Sequence, residues 1–296
     1  MKLLVTGASG FIGSRVLAAI CDEYGPENVI AFSSRPIDKC QTVSYQVPAF
    51  TVKKEDHDLL ATVDVLIHVG AYIPKSGKDA NAIEACDSNI FFTEKLLNLP
   101  LKCLKKILYI STVDVYEPAD LTNEDTPTIP VSLYGWSKLY CERMLGFFAI
   151  DQNIEYQILR IGHVYGPGEE VYAKFLPKTI NNLLVGESIE LWGDGSEKRS
   201  FIYVNDVVSS ILRAISFNEN VGPINVVGGL AVSMRALIDK LALVSGKIPI
   251  IRIKNSSLTK RDYVFDNAKL RKYLLKEETS LISGLKSEYE YMSRLK

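Results

Sequence analysis

Short, uniformly apolar segments alternate with amphipathic segments through the first half of the chain. An apolar run between turn residues is typical of a buried strand, whereas apolar positions at helical spacing indicate a helix. The pattern predicts strands that begin at Leu3 and lie at Val29–Phe32, Thr42–Val47, Val65–Val69, Ile107–Ile110 and Tyr156–Arg160. It predicts helices at Phe11–Tyr24, Asp56–Ala61, Asp79–Asn98 and Tyr134–Ile150. Because the two kinds of element alternate, we expect an α/β fold with a parallel, doubly wound sheet.

After Pro167 the alternation becomes less regular. The predicted helices there are Lys174–Val185, Asn205–Ser216, Ser233–Ser245 and Leu281–Leu295, and the predicted strands are Ile189–Leu191, Phe201–Tyr203 and Asn225–Val227. Ser233 is expected to cap its helix, because a serine hydroxyl can accept a bond from an unpaired N–H of the first turn. This part of the chain therefore predicts a second, smaller α/β lobe.

The glycine-rich turn after the first strand is the first candidate for chemistry. It lies between a strand and a helix, and its glycines recur every third residue. Glycine has no Cβ and tolerates positive φ, so a pyrophosphate can approach the backbone, and the helix start offers N–H groups to it. The context is typical of dinucleotide binding, although a purely structural turn would carry the same glycines. The expected contacts are Gly7, Ser9, Gly10, Phe11, Ile12 and Gly13.

The end of the second strand bears on the choice of dinucleotide. A site for NAD usually places Asp or Glu there to bind the ribose hydroxyls, whereas this chain has Ser33, Ser34 and Arg35. Hydroxyls and a guanidinium suit a 2′-phosphate, so the sequence favours NADP(H) over NAD(H). A solvated loop arginine is the alternative.

Composition narrows the class of protein. The chain has 296 residues, 47% of them apolar, and a net charge of −1 with acids and bases intermixed. These values favour a globular protein that does not bind nucleic acid, and no apolar run approaches the roughly 20 residues of a membrane span. The N-terminus does not resemble a signal peptide. The five cysteines lack metal-binding spacing, so we expect reduced thiols, a cytoplasmic location and no metal site.

Three side chains are candidates for catalysis. Thr112 ends the fifth predicted strand, and Tyr134 and Lys138 lie four residues apart at the start of the following long helix, hence on one face. A nearby ammonium is expected to lower the pKa of a phenol from about 10 towards neutrality. The phenolate could then take a proton from an alcohol while a hydride leaves the same carbon, with Thr112 holding the oxygen.

Several segments resemble those of extended short-chain dehydrogenase/reductases of the nucleotide-sugar epimerase/dehydratase family. The resemblance covers nearly the whole chain. Its segments are the turn Thr6–Gly13, the segment Ser111–Tyr116, the pair Tyr134 and Lys138, Asn89 in the central helix, Arg160–Gly168, Gly193–Asp206 and the pair Arg261 and Asp262. It implies a Rossmann fold and C4 chemistry on a nucleoside-diphosphate sugar, with Arg199 and Arg261 facing the nucleotide.

The complete set of expected site residues follows from these motifs. Besides the glycine turn and Ser33–Arg35, cofactor contacts are expected from Ala71, Ile110, Tyr134, Lys138, Ile161, His163 and Val164. Substrate contacts are expected from Ser111, Thr112, Tyr134, His163, Arg199 and Arg261. His163 replaces the usual asparagine of the family, and either a structural role or a substrate contact suits it.

The same motifs separate the reactions of the family. Dehydratases resemble one another in carrying Thr-Asp-Glu where this chain has Thr112, Val113 and Asp114, and valine supplies no proton, so 4,6-dehydration is disfavoured. The sequence favours an NADPH-dependent 4-keto-(deoxy)sugar reductase, because of Ser33–Arg35. A UDP-glucose 4-epimerase-like enzyme with retained NAD is the alternative, and a non-catalytic NADP-binding sensor is a remote one.

The resemblance also predicts domains and an assembly. We expect a dinucleotide-binding domain at residues 1–165 and 199–228, and a substrate lobe at 166–198 and 229–296. The helices at 79–98 and 134–150 are expected to flank one another and to pair across a homodimer, through outer apolar residues such as Phe91, Leu145 and Phe148.

Overall fold

The computed structural model describes residues 1–75, 77–172, 174–255 and 262–296. The chain forms two compact units. The first comprises Met1–Glu117, Pro127–Ile161 and Val207–Ile224, and the second comprises Pro118–Thr126, Gly162–Asp206 and Asn225–Lys296. The bounds differ from the predicted domains. Residues 199–206 and 225–228 cluster with the second unit, because the strand that contains Arg199 pairs with strands of that unit.

The first unit is built on a parallel sheet. Its strands are β1 (Leu3–Thr6), β2 (Val29–Ser33), β3 (Gln41–Gln46), β4 (Thr51–Val52), β5 (Val65–His68), β6 (Lys106–Thr112) and β7 (Glu155–Ile161). They lie in the order β7-β6-β5-β1-β2-β3-β4, and only the short β4 runs antiparallel to its neighbour. Every residue of β1, β2, β5 and β6 is buried, as expected for strands covered on both faces.

Four helices accompany this sheet: α1 (Phe11–Tyr24), α2 (His57–Leu60), α3 (Ile83–Leu97) and α4 (Leu133–Asp151). The helices α3 and α4 pack side by side, and apolar side chains from both join one core cluster with the sheet. The helix predicted at 79–98 is shorter than expected. Asp79–Asn81 forms a separate 3-10 turn, and Ala82 has extended backbone angles that interrupt the helical path.

The second unit contains two small sheets. In the first, β10 (Lys198–Tyr203) lies between β8 (His163–Tyr165), which is parallel, and β12 (Ala231–Ser233), which is antiparallel. In the second, β9 (Ile189–Trp192) pairs with β13 (Ile251–Lys254). The other helices and strands after Pro167 are α5 (Phe175–Val185), α6 (Val204–Ser216), β11 (Ile224–Val226), α7 (Met234–Ser245), α8 (Ala268–Tyr273) and α9 (Leu281–Arg294). Two of them, α6 and β11, cross the boundary between the units.

The predicted cap of α7 is confirmed. The Ser233 hydroxyl accepts a hydrogen bond from the N–H of Ala236 at 3.1 Å, which satisfies one unpaired donor of the first turn. Within the described residues, no helix combines the length and apolar character that a bilayer crossing requires.

Candidate active site

The glycine turn connects β1 to α1 and packs on the end of β5. Gly7 has a φ of 68°, which favours glycine, and a Cβ at that position would lie 2.6 Å from Cα of Gly70. A Cβ at Gly13 would overlap the carbonyl oxygen of Gly7. The hydroxyl of Thr6 accepts the N–H of Gly70 at 2.9 Å and fixes this close approach. Backbone without side chains is thus available beside the N-terminus of α1, a surface that fits a pyrophosphate.

The segment at the end of β2 has one buried and two exposed side chains. Ser33 is 4% exposed, and its Oγ accepts the N–H of Arg35 at 3.1 Å, so this hydroxyl stabilises its own loop. Ser34 and Arg35 are exposed. Arg35 has the longer of these two side chains, so it reaches farther towards a ligand.

Asn89 fixes the segment that follows β5. Its Oδ1 accepts the N–H of Tyr72 at 2.7 Å, and its Nδ2 donates to the carbonyl of Tyr72 at 3.3 Å and to Oγ of Ser137 at 3.2 Å. Asn89 lies on α3 and Ser137 on α4, so one amide joins both helices to the loop after β5, which contains Ala71 and Tyr72. This places Ala71 at the same sheet edge as the glycine turn, where parallel strands bind their ligands.

Thr112 and Tyr134 lie together at the end of β6. Each residue is 7% exposed, and the Thr112 hydroxyl favours the phenolate form of Tyr134. The N-terminus of α4 is fixed by Ser132, whose Oγ accepts the N–H of Gly135 at 3.1 Å. Gly135 itself approaches the carbonyl oxygen of Asp114 so closely that a side chain would collide with it. The catalytic roles of Thr112 and Tyr134 stay predictions.

Lys138 lies one turn further along α4 and is engaged by β6. Its Nζ donates to the carbonyl oxygen of Ile110 at 2.7 Å and lies 4.2 Å from the ring centroid of Tyr109. Burial lowers the pKa of Lys138 to about 8, and the charges of Cys141 and Glu142 oppose that effect. The contacts with the carbonyl and the aromatic ring hold the Lys138 ammonium in this buried position.

The expected lowering of the phenol pKa is not observed. Burial, and then the negative charge of Asp114, raise the pKa of Tyr134 well above its ordinary value of 10.0, and the nearby Thr112 hydroxyl opposes this. Four-residue spacing put Tyr134 and Lys138 on one helix face, but Lys138 is bound to Ile110, and burial together with Asp114 dominates.

A buried ion pair supports the same region. Arg160 on β7 donates from Nε to Oε1 and from Nη2 to Oε2 of Glu142 on α4, at 3.0 and 2.7 Å. The Ser111 hydroxyl donates to Oε1 of the same carboxylate at 2.6 Å. This hydroxyl donates to Glu142, and the expected contact of Ser111 with substrate stays a prediction. Ile161 pairs with Thr112 across β7 and β6, and Ile110 supplies the carbonyl bound by Lys138.

The remaining expected substrate residues lie in the second unit. The imidazole of His163 is 5.2 Å from the ring of Tyr263, and Val164 is the buried middle residue of β8. Arg199 forms an ion pair with Glu197, with Nη2 2.6 Å from Oε1, and its guanidinium lies 5.5 Å from the Tyr263 ring. Arg261 lies outside the described residues.

The structure places two further groups close to the candidate catalytic residues. The first is Asp114, which the sequence analysis compared only with the dehydratase glutamate, and the Thr112 hydroxyl donates to its Oδ2 at 3.3 Å. Its position two residues after Thr112 was a usable signal. The second is Glu142, which continues the helix face of Tyr134 and Lys138 by four residues. His68 is also buried there, bonded to Thr6 and Thr93 through its two ring nitrogens at 2.9 and 3.0 Å.

Known proteins resemble this chain over most of its length. The model of the NAD dependent epimerase/dehydratase family matches residues 3–228. An uncharacterized UDP-glucose epimerase of Bacillus subtilis (strain 168) is 28% identical, with 100% of this chain and 99% of that protein covered. A UDP-N-acetyl-alpha-D-glucosaminuronate decarboxylase of Bacillus cytotoxicus is 27% identical, with 76% and 74% covered.

The solved structures agree with this relationship. The crystal structure of a UDP-glucuronic acid 4-epimerase from Bacillus cereus, in complex with UDP-glucuronic acid and NAD, superposes with a TM-score of 0.82. It is 27% identical and covers 100% of both chains. The Rossmann-type parallel sheet and the enzyme class predicted from the sequence are thereby confirmed. The chain belongs to the NAD dependent epimerase/dehydratase family.

Proposed function

We propose that this enzyme inverts the configuration at C4 of a UDP-sugar and keeps NAD bound throughout. The observation that carries the proposal is the position of Tyr134 and Thr112, which lie together at the end of β6, at the same sheet edge as a glycine turn that fits a pyrophosphate. The UDP-sugar 4-epimerases among the structural relatives support the choice of reaction. They favour the epimerase alternative over the reductase that Ser33–Arg35 suggested, and nothing in the comparisons specifically supports the reductase.

In the proposed mechanism, the protein removes one proton from the sugar and later returns it. Tyr134, as its phenolate, takes the proton of the sugar C4 hydroxyl, and the Thr112 hydroxyl holds that oxygen in place. NAD, when bound, supplies the hydride acceptor and donor. After the keto sugar turns over in the site, Tyr134 returns the proton to the C4 oxygen on the opposite face. The side chain that removes the proton thus restores it, and the sugar isomerises without net oxidation.

The second unit supplies candidate contacts for the nucleotide. Arg199 is paired with Glu197 at 2.6 Å, and a diphosphate would compete for its guanidinium. His163, beside Tyr263, is the candidate contact to the sugar. Arg261 stays a prediction for the diphosphate. An Arg199→Ala variant should raise KM much more than it lowers kcat, because the lost contact binds ground state and transition state alike.

The decisive experiment separates the reactions by their products. Purified enzyme is incubated with UDP-glucose, UDP-glucuronic acid and UDP-N-acetylglucosamine, and the sugars are identified by proton NMR. Formation of a C4 epimer without added cofactor supports the proposal. Net consumption of NADPH with a 4-keto-6-deoxy sugar would establish the reductase, and release of carbon dioxide from the uronic acid would establish a decarboxylase.

Extraction of the bound dinucleotide from the purified enzyme tests the identity of the cofactor. We propose NAD, since solved relatives are complexes with NAD. The exposed Arg35 is the residue that would favour NADP through a charge-assisted bond to the 2′-phosphate. NAD released from denatured enzyme supports the proposal, and NADP in its place would restore the sequence-based prediction. A protein that binds the dinucleotide but converts no sugar would be the sensor.

We further propose a homodimer through α3 and α4. Exposed apolar residues follow one stripe of α4, which is typical of a helix that packs against a partner. These are Trp136, Tyr140, Phe147 and Ile150. Of the three residues predicted from the sequence to lie on the outer face, Leu145 is 1% exposed and Phe148 packs on the core, whereas Phe91 is exposed and stays a predicted contact.

The dimer is tested by light scattering of the intact protein. Phe147 is 74% exposed, so Phe147→Glu should yield monomers without disturbing the core. Leu243→Glu on α7 is the matched control, because Leu243 is 76% exposed and outside the proposed interface. A wild type that is monomeric at all concentrations would refute the dimer.

We also propose a cytoplasmic location. All five cysteines are free thiols, three of them buried, which suits a reducing compartment. Fractionation of cells that produce the protein would test this, and recovery outside the cytoplasm would contradict it.

A further inference from the structure

A chain of hydrogen bonds crosses the core of the first unit from the glycine turn to α3, with His68 at its centre. Thr6 and His68 end the neighbouring strands β1 and β5 and are register partners. Oγ1 of Thr6 lies 2.9 Å from Nδ1 of His68. On the other side of the ring, Nε2 lies 3.0 Å from Oγ1 of Thr93 on α3. Each of the three residues is no more than 1% exposed, so these buried polar atoms must satisfy one another.

The two hydroxyls decide which ring nitrogen carries the proton. Oγ1 of Thr6 accepts the N–H of Gly70 at 2.9 Å, and within the described part of the chain its other hydrogen bond is to Nδ1 of His68. The Thr6 proton is therefore directed to Nδ1, which must be unprotonated to accept it. The proton of the neutral ring is then on Nε2 and is donated to Thr93, whose own proton goes to the carbonyl oxygen of Asn89 at 2.8 Å. A proton on Nδ1 would leave the buried Thr6 hydroxyl without an acceptor.

The groups that face the ring also favour its neutral form. The ring of Tyr109 lies 5.2 Å from the imidazole, and Nζ of Lys138 lies 4.2 Å from the centroid of the same phenol ring. Burial, and then the charge of Lys138, hold the pKa of His68 well below its ordinary value of 6.5. Beyond Thr93, the thiol of Cys141 lies 3.3 Å from Oγ1 and carries no fixed charge. A second proton on the ring would thus add a buried positive charge close to an existing one.

The same chain of bonds continues to the helix that carries Tyr134. Asn89 donates from Nδ2 to Oγ of Ser137 at 3.2 Å, and that hydroxyl donates to the carbonyl oxygen of Tyr134 at 2.8 Å. At the opposite end, the N–H of Gly70 is bonded to Thr6 where the loop after β5 packs against the glycine turn. His68 therefore lies in the middle of one connection between the glycine turn and the first turn of α4.

We infer that His68 is a positioning residue whose neutral imidazole, protonated at Nε2, holds the glycine turn in the form that binds the dinucleotide. By accepting the Thr6 proton, the ring keeps Oγ1 of Thr6 turned towards the N–H of Gly70, and the loop after β5 stays against the turn. The inference rests on the proposed function for the place of the dinucleotide site and not for the reaction of the sugar.

Nitrogen-15 NMR of the wild-type protein tests the tautomer without any substrate. The chain has three histidines, so protein labelled at histidine gives three sets of ring signals, and the set that disappears in His68→Gln belongs to His68. We expect a proton on Nε2 and none on Nδ1, unchanged from about pH 6 to about pH 9. A proton on Nδ1, or a ring that gains a second proton in this range, would overturn the inference.

Two amide variants test the positioning role. His68→Asn keeps an oxygen that can replace Nδ1 and accept the Thr6 proton, whereas the longer amide of His68→Gln reaches the place of Nε2 and Thr93. The measurement is the rate at which the folded enzyme exchanges its bound dinucleotide for radiolabelled dinucleotide. His68→Gln should exchange at least about tenfold faster than the wild type, because a buried hydroxyl loses its acceptor, and His68→Asn should stay within about threefold.

His57→Gln, at a partly exposed position of α2, is the matched control and should exchange at the wild-type rate. If His68 only filled space, both amides would lose the ring equally, and equal rates in His68→Asn and His68→Gln would overturn the inference. A wild type that binds the dinucleotide and has the expected tautomer but converts no UDP-sugar would refute the proposed function alone. Epimerisation by an enzyme with the proton on Nδ1 would refute this inference alone.

Discussion

At the scale of single residues, the protonation of Tyr134 is set by where the chain buries it. A phenol with low exposure beside a carboxylate holds its proton, because both burial and a like charge disfavour the phenolate. The spacing of Tyr134 and Lys138 predicts an acid–base role for Tyr134, but it does not predict the environment of the phenol. That environment depends on Asp114 and Ile110, which reach the site through β6 and the turn that follows it.

Removal of the phenolic hydroxyl tests the central residue. Tyr134→Phe should lower kcat about a hundredfold or more, because the proton acceptor is lost, while NAD remains bound. Turnover of the nucleotide sugar and the amount of cofactor retained by the purified variant measure the two effects.

Tyr140→Phe provides the matched control for this variant. Tyr140 lies on the same helix and is 57% exposed, so its hydroxyl should contribute nothing to turnover. A Tyr134→Phe enzyme as fast as Tyr140→Phe would remove the phenol from the mechanism.

At the scale of the elements, α4 is positioned by one close contact and one buried ion pair. Gly135 packs against the backbone of Asp114, and Glu142 binds Arg160 and Ser111 two turns further on. Together these contacts hold the helix against β6 and β7, so that Tyr134 meets Thr112. The pattern of apolar residues predicted the helix and its neighbours. It could not predict the contact between Gly135 and the backbone of Asp114, because a contact between backbones involves no apolar side chain.

Two glycines of α4 should respond oppositely to substitution. Gly135→Ala should destabilise the protein and lower activity, because the new Cβ would collide with the carbonyl oxygen of Asp114. Gly146→Ala should stabilise it by about 0.5–1 kcal/mol, since alanine is the better helix former. The nearest atom to that Cβ would be Oη of Tyr156, at 3.5 Å.

Urea unfolding of the two glycine variants measures the free energies, and turnover measures the site. If both variants were equally stable, the close contact of Gly135 would not be what positions the helix.

The ion pair between Glu142 on α4 and Arg160 on β7 leads to a second prediction at this scale. Arg160→Met should cost about 3 kcal/mol of unfolding free energy, because it leaves the buried Glu142 carboxylate without its partner. The side chains of the pair are 3% and 1% exposed. Replacement of both partners, in Glu142→Leu with Arg160→Met, should recover part of the loss.

Lys53→Met is the control for the ion pair, since Lys53 and Glu55 form an exposed pair on the surface. Its unfolding midpoint should equal that of the wild type. An Arg160→Met variant with a wild-type midpoint would contradict the assigned role.

At the scale of the whole molecule, sequence patterns gave the parallel sheet, its helices and the family, whereas the division into units required tertiary contacts. The segment around Arg199 has the same apolar alternation in either unit, and only its pairing with β8 and β12 assigns it. Similarly, Leu145 and Phe147 are both apolar residues of α4, but one lies in the core and the other in solvent. The apolar residues of α4 have few polar residues between them, so their spacing does not show which face of the helix is buried and which is exposed.

The core of the second unit predicts a dependence of stability on pH. Glu288 on α9 is fully buried, and burial followed by the charge of Glu169 raises its pKa from 4.5 to about 10. Above the ordinary pKa the unfolded chain releases this proton, while the folded chain keeps it. The folded state then binds more protons than the unfolded state, so the free energy of unfolding should fall as pH rises towards 10.

Glu288→Gln isolates this contribution. The loss of unfolding free energy between about pH 6 and about pH 9 should be smaller in the variant than in the wild type, because the amide does not titrate. Glu290→Gln, at an exposed position of the same helix, should keep the wild-type dependence. Identical slopes for all three proteins in urea titrations would exclude Glu288 as the source.

The close approach of Gly7 to Gly70 also has a consequence for redesign. The backbones at Gly7 and Gly70 meet without side chains between them. A substitution cannot adjust this contact, because every other amino acid is larger than glycine. Ser34 and Arg35, in contrast, extend into water at the end of β2 and carry no share of the core. Cofactor preference can therefore diverge between descendants of this protein through a surface loop, while the phosphate cradle stays unchanged.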